Sequence, residues 1–237
     1  MQPAHTVRAY DDELRALNAG ISEMGRLAEA QLAGSVSALV GKNTEAAARV
    51  ISSDIRLDEL EREIEASAID MIARRQPLAI DLREIMAAVR IAGSLERVGD
   101  HAKNIAKRAT AIMEDGRAYE PPAGIASIAN LAAAQLSDVL DAFANRDVAR
   151  AGAVWRADSE IDKLYTSLFR ELLTYMMEDS RSITPATHIL FCAKNIERIG
   201  DHATNIAEIV EFLVTGSPPS SERPKSDETS AAGSIAS

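Results

Sequence analysis

Residues 95–107, LERVGDHAKNIAK, return as IERIGDHATNIAE at residues 196–208, with nine of thirteen positions identical at an offset of 101. A chain of 237 residues carrying such a repeat is two copies of one unit of about 100 residues, so whatever it folds into must be built twice. The likeness is not confined to the string. Ile91, Leu95, Val98, Ala102, Ile105, Ala109 and Ile112 are spaced alternately by four and three, the apolar stripe of an α-helix. Cys192, Ile196, Ile199, Ala203, Ile206, Val210 and Leu213 repeat that stripe at the same offset, so the packing register is duplicated along with the string.

Breakers divide the rest of the chain. GKN at 41–43, RQP at 75–77, DGRAYEPP at 115–122, NRD at 145–147 and SRSITP at 180–185 interrupt otherwise helical patterns. They predict six long helices, near 6–40, 44–75, 79–115, 122–144, 147–178 and 184–214. Short connections make successive helices antiparallel, so the expected fold is all-α, a tandem repeat of two up-down-up three-helix bundles. The first repeat is expected over residues 1–118 and the second over 119–215. From 216 to 237 the chain reads GSPPSSERPKSDETSAAGSIAS, polar and without periodic apolar positions, and a disordered tail is expected there. Composition agrees, with 46% hydrophobic residues drawn mostly from Ala, Leu, Ile and Val and only 4% aromatic.

The 36 acidic and 26 basic residues give a net charge of -10, which repels nucleic-acid phosphates and attracts cations or basic surfaces. The lone Cys192 cannot form an internal disulfide, and within ILFCAKNI it reads as a small buried hydrophobe in a reducing compartment. A basic stretch leading into an apolar core is missing from the N-terminus, and no apolar run of 18 residues is evident, so a cytoplasmic protein is expected.

The repeated string places Glu96 four residues before Asp100, and Glu197 four before Asp201. On a helix each pair shares one face about a turn apart, an arrangement of like charges that costs a few tenths of a kcal/mol unless a cation or partner offsets it. At about 100° per residue these acids fall roughly opposite the apolar stripe, which predicts that they face away from the core, with Asn104 continuing the row. The preceding helices carry matching pairs, Asp54 with Asp58 and Asp158 with Asp162, related by an offset of 104. These sit beside apolar stripes expected to be equivalent, Val50, Leu57, Leu60, Ile64 and Met71 against Val154, Ile161, Leu164, Leu168 and Tyr175.

If neighbouring helices present these rows side by side, four carboxylates meet in one patch per repeat. Hard or borderline cations such as Mg²⁺, Mn²⁺, iron or Zn²⁺ take oxygen ligands in such patches. The alternative is a solvated face with intrahelical ion pairs, for example from Glu96 or Asp100 to Arg97, Lys103 and Lys107. His101 and His202 follow the motif aspartates; flanking the stripe, each is read as a neutral hydrogen-bond bridge to another helix rather than a ligand. Gly99 and Gly200 cost about 1 kcal/mol each in mid-helix and are expected where another helix approaches closely. Asn104 and Asn205 fit either ligation or helix cross-linking.

ERVGDHAKNIAK, ERIGDHATNIAE, the Asp-x-x-x-Asp rows before them and the opening YDDEL resemble the PhoU family of phosphate-transport regulatory proteins over residues 6–214. The resemblance implies a pair of three-helix bundles whose acid rows bind divalent or trivalent metal ions, iron or zinc, as multinuclear clusters. By position the ligands would be Glu96, Asp100, Glu197 and Asp201, joined by Asp54, Asp58, Asp158 and Asp162. It further implies a homodimeric, cytoplasmic negative regulator that links a phosphate ABC transporter to a sensor histidine kinase and reaches the membrane only through those partners. Glu61 and Glu65 are matched by Tyr165 and Phe169, and Lys107 by Glu208, so the second site is expected to bind more weakly or to serve a partner.

The competing function is a carboxylate-bridged dimetal enzyme in a helical bundle. Such enzymes place His three residues after Glu on an inward face, whereas here His follows Glu by five. With no GxxxxGK phosphate loop and no Ser, Cys or His arrangement suited to nucleophilic attack, a non-enzymatic adaptor is the reading preferred.

Overall fold

The computed structural model describes residues 4–115 and 120–217, with the backbone alone for 4–9. Among the described residues there are six long helices, α1 (Ala4–Gly41), α2 (Thr44–Arg75), α3 (Ala79–Glu114), α4 (Ala123–Asn145), α5 (Val148–Glu178) and α6 (Ile183–Thr215), and a 3₁₀ turn at Ser180–Ser182 precedes the last. Every end lies within two residues of its predicted place. The expected repeat boundary at 118/119 and nearly all of the expected disordered tail, residues 218–237, lie outside the described residues.

The turn chemistry is itself duplicated. Lys42 and Arg146 both adopt left-handed backbone, with φ 53° and 54°. The next residues, Asn43 and Asp147, then cap α2 and α5 by accepting from Ala46 N and Arg150 N at 3.0 Å each. Their own amides bond back to Ala38 and Ala142 carbonyls at 3.1 and 2.9 Å, closing the preceding helices as a Schellman-type motif does. A non-glycine residue in that conformation is uncommon, and finding it at both equivalent turns shows that the helical hairpin was copied as a unit.

One continuous core joins the repeats. α3 and α6 run antiparallel along each other: the Arg108 guanidinium lies 4.0 Å from the Phe191 ring centroid, and the His101 and His202 rings face one another at 5.6 Å. α1 crosses α4 closely, since a Cβ on Gly25 would stand 2.8 Å from Leu140. Near that crossing Glu84 Oε1 accepts from Asn18 Nδ2 at 2.8 Å and from Arg146 Nη2 at 2.5 Å, tying α1, α3 and α4 together.

The two repeated stripes of α3 and α6 are buried throughout, Cys192 included, and burial pushes its thiol up to about 12. One expectation fails. In α5, Leu164 and Tyr175 are 37% and 40% exposed, while Tyr165, Thr166 and Leu172 are buried in their stead. Apolar side chains on adjacent positions 164, 165, 168 and 169 leave the stripe's phase undecided by spacing, and packing chose the Tyr165 side. α4 is, by length and composition, apolar enough to cross a membrane, although polar residues interrupt its apolar run. Its Ile125, Ile128, Ala132, Leu136, Val139 and Phe143 are buried within the bundle, which accounts for that apolarity.

Candidate metal centres

The eight acids lie along two seams, α2 against α3 and α5 against α6. In the first, Asp54 is buried and Asp58, Glu96 and Asp100 are partly buried. Lys103 Nζ, one turn beyond the motif, donates to Asp54 Oδ2 and, at 2.9 Å, to Asp100 Oδ1. Arg97 covers the outer side, 3.4 Å from Glu96 Oε2 and 3.6 Å from Asp100 Oδ2. Burial and then the charge of Asp100 raise Glu96 to about 7; Arg97 opposes, and Glu61 and Asp58 add smaller rises. Burial also acts upward on Asp100, but the Lys103 hydrogen bond and charge outweigh it and hold that carboxyl below its ordinary value. Glu61, raised by burial and by Glu65, belongs electrically to the same seam.

In the second seam Asp158, Asp162 and Glu197 are buried and Asp201 is partly so. Thr204 Oγ1 donates to Asp158 Oδ1 at 2.9 Å, and Lys194 Nζ donates to Glu197 Oε1 at 2.9 Å. Glu197 is 5% exposed and its Oε2 has no hydrogen-bond partner. Burial raises its pKa, Lys194 opposes, and Asp201 and Asp162 add to the rise.

The motif acids therefore do not face away into solvent as their phase predicts. The angle from one apolar stripe locates one neighbour only, whereas α3 is packed by α1, α2 and α6, and the side opposite the stripe becomes the wall of a seam. The structure brings Asp54 to Asp100 through Lys103, and sets Asp100 and Asp58 close enough to Glu96 to raise its pKa. Ion pairing to Arg97 and Lys103, weighed from sequence as the alternative, is present alongside this convergence.

His101 Nδ1 meets Asn195 Oδ1 at 3.0 Å, and burial lowers its pKa, so it serves as the neutral interhelical bridge expected of it. Gly99 and Gly200 admit the neighbouring helix: a Cβ there would collide with Leu57 Cδ1 in the first case and stand 2.5 Å from Ile161 Cδ1 in the second. Asn104 is exposed and Asn205 partly buried.

Sequence reasoning missed Gln31 and Gln135. Each is 3% exposed on the apolar face of the first helix of its repeat. Gln31 donates to Ser53 Oγ at 3.2 Å and Gln135 to the Ala157 carbonyl at 3.1 Å, and both keep Oε1 unpartnered. Those oxygens lie 2.9 and 3.5 Å from where the Gly99 and Gly200 Cβ atoms would be, beneath the acid rows. Their signal was a polar residue at the same core position twice, 104 apart.

As a donor set, clustered carboxylate oxygens and an orphaned buried Glu197 Oε2 suit a hard cation. Yet among the described residues no three His, Cys, Asp or Glu side chains are drawn together as ligands, and a lysine ammonium sits on each seam.

These features define a tandem pair of three-helix bundles with an acid seam in each. The PhoU domain model matches residues 21–109 and 125–210, and the chain belongs to the PhoU family. It is 55% identical over 235 residues to a phosphate-specific transport system accessory protein PhoU homolog of Rhizobium meliloti (strain 1021), covering 99% of each chain. The homolog of Caulobacter vibrioides is 49% identical over 223 residues, 94% of this chain and 97% of that one. The crystal structure of PhoU from Pseudomonas aeruginosa superposes with a TM-score of 0.85 at 36% identity, covering 88% of this chain and 100% of that one. The phosphate transport system regulatory protein PhoU from Streptococcus pneumoniae gives 0.81 at 28%, covering 89% and 99%.

Proposed function

We propose that this chain is an accessory, regulatory protein of a phosphate transport system, and more specifically a cytoplasmic negative regulator of phosphate uptake and of the phosphate-starvation response. It acts as a homodimeric, metal-binding helical adaptor between a phosphate ABC transporter and a sensor histidine kinase. The observation that carries the reading is likeness along nearly the whole chain to proteins named for that accessory role, 55% identity over 99% of both sequences. They are named as accessory and regulatory proteins and not as enzymes.

The metal part of the proposal rests on the acid seams. Glu96, Asp100, Asp54 and Asp58 would hold a cation in the first repeat, and Glu197, Asp201, Asp158 and Asp162 in the second; the oxygen donors suit a hard cation, and iron or zinc is what the family resemblance implies. A bound ion would supply fixed positive charge across each seam and tie two helices together. Deleting the gene is expected to raise expression of phosphate-starvation genes in phosphate-rich medium. Reporter activity equal to that of the parent strain in that medium would remove the regulatory assignment.

A further inference from the structure

Each seam already carries a cation, and the two repeats supply it from different places. Lys103 Nζ binds Asp54 Oδ2 and Asp100 Oδ1 from one turn after the motif aspartate; at the same register in the second repeat stands Thr204, which gives Asp158 a single hydroxyl. Lys194 Nζ binds Glu197 Oε1 from one turn before the motif glutamate and lies 5.1 Å from the Tyr165 ring centroid; at its register in the first repeat stands Gly93. Duplication would have left lysines at matching positions. Their placement at unmatched ones brings an ammonium group to each seam from a different register.

Acceptors remain uncommitted beneath both. Glu197 Oε2, in a residue only 5% exposed, has no hydrogen-bond partner, and neither do the side-chain oxygens of Gln31 and Gln135. Asp54 Oδ1 and Gln31 Oε1 come within 3.6 and 2.9 Å of the same point beside Gly99. The Lys103 and Lys194 side chains are 24% and 33% exposed, and each reaches from solvent to a buried acid, Asp54 at 8% and Glu197 at 6%, with Asp100 beside Lys103 at 31%.

We propose that Lys103 and Lys194 are tethered resident cations that compete with a divalent metal ion for the two seams, so that metal enters a seam only as its lysine swings out into solvent. The proposal rests on the metal-binding reading above. Its physical basis is exclusion: a divalent ion takes carboxylate oxygens at about 2.0 to 2.6 Å. An ammonium hydrogen-bonded to those oxygens, at 2.9 Å from Asp100 and from Glu197, fills the same space. Because the competitor is tethered, its effective concentration is about millimolar, so metal must bind well to displace it.

The test titrates Zn²⁺ into the metal-stripped full chain by calorimetry, with the thermal midpoint as an independent readout. Lys103→Thr and Lys194→Ala remove the ammonium; threonine and a near-glycine side chain are what the other repeat carries there, so the fold accommodates them. Each is expected to bind Zn²⁺ about tenfold to a hundredfold more tightly than wild type, the weight of a charge-assisted hydrogen bond removed. Lys103→Arg and Lys194→Arg, which keep the charge, are expected to bind no better than wild type. Wild type matching the lysine-free variants would overturn the competition and leave the metal reading standing; Zn²⁺ binding to none of them would overturn both. Should one variant fail to fold, the other decides for its own seam.

Discussion

The two acid seams share a backbone plan and differ in electrostatic character. In the first, Asp58, Glu61 and Glu96 press like charges together at the rim, and Glu96 is left with a pKa of about 7. In the second, Tyr165 replaces Glu61, the acids are buried more deeply, and Lys194 reaches in over the tyrosine ring. The tyrosine turns the buried face of α5 so that Asp162, Tyr165 and Thr166 go inside while Leu164 comes out, whereas in α2 Leu60 is inside and Asp58 stays partly exposed. A duplicated fold thus keeps its helix ends and its central stripe while single substitutions decide how wet each site is.

Exchanging that residue should break the difference most forcefully. Tyr165→Glu would bury a carboxylate beside Glu197 and Asp162, and is expected to cost about 3 kcal/mol. For a domain of this size that lowers the thermal midpoint by roughly 6 to 12 °C. The reverse exchange, Glu61→Tyr, removes a like charge from Glu96 at a partly exposed rim and should stay within about 1 kcal/mol of wild type. Equal losses from the two exchanges would mean that the seams differ in sequence only.

Helix ends and the central packing were legible because they are local and said twice: the breakers at 41–43 and 145–147 encode the same turn and cap, and the α3 and α6 stripes repeat each other position for position. The phase of α5 was not, because Leu164, Tyr165, Leu168 and Phe169 offer two stripes and only packing selects one. The identity of the motif acids was legible and their burial was not. Periodicity reports one contact direction per helix, and α3 has neighbours on several sides. Gln31 and Gln135 escaped notice because a lone polar residue on an apolar face carries meaning only when the helix beside it is known to bring a glycine and an acid row within reach.

A smaller effect should separate the two motif glycines. A Cβ on Gly99 meets Leu57 Cδ1 and also Gln31 Oε1 at 2.9 Å, while on Gly200 it meets Ile161 Cδ1 at 2.5 Å with Gln135 Oε1 back at 3.5 Å. Leu57 and Ile161 are buried and cannot swing away freely. Alanine gains about 1 kcal/mol of helix propensity at either site. Overpacking costs about 1 to 3 kcal/mol. Gly99→Ala is therefore expected to lose about 1 to 2 kcal/mol in urea unfolding and Gly200→Ala less than about 1 kcal/mol. The opposite order would show that the first seam yields more readily than its contacts indicate.

The smallest expected effect is a pH dependence peculiar to the first seam. Glu96 is raised from 4.5 to about 7, first by burial and then by Asp100, so between those values the folded chain holds a proton that the unfolded chain has released. Stability therefore falls as pH rises across that window; the contribution is whole below about 4.5 and gone above about 7. His101 runs the other way, since burial lowers its pKa and the unfolded chain takes the proton first, so total stability against pH mixes opposing slopes. Glu96→Gln, which imitates the protonated acid, isolates the slope of interest. Metal-free wild type and variant should differ at pH 5 by only about a quarter of their full gap, and at pH 8 the variant should be more stable by about 1 kcal/mol once the partial exposure of Glu96 and the nearness of Arg97 are discounted. A gap that does not change between pH 5 and 8 would mean that Glu96 is ionised throughout, and that the first seam is no more crowded with charge than the second.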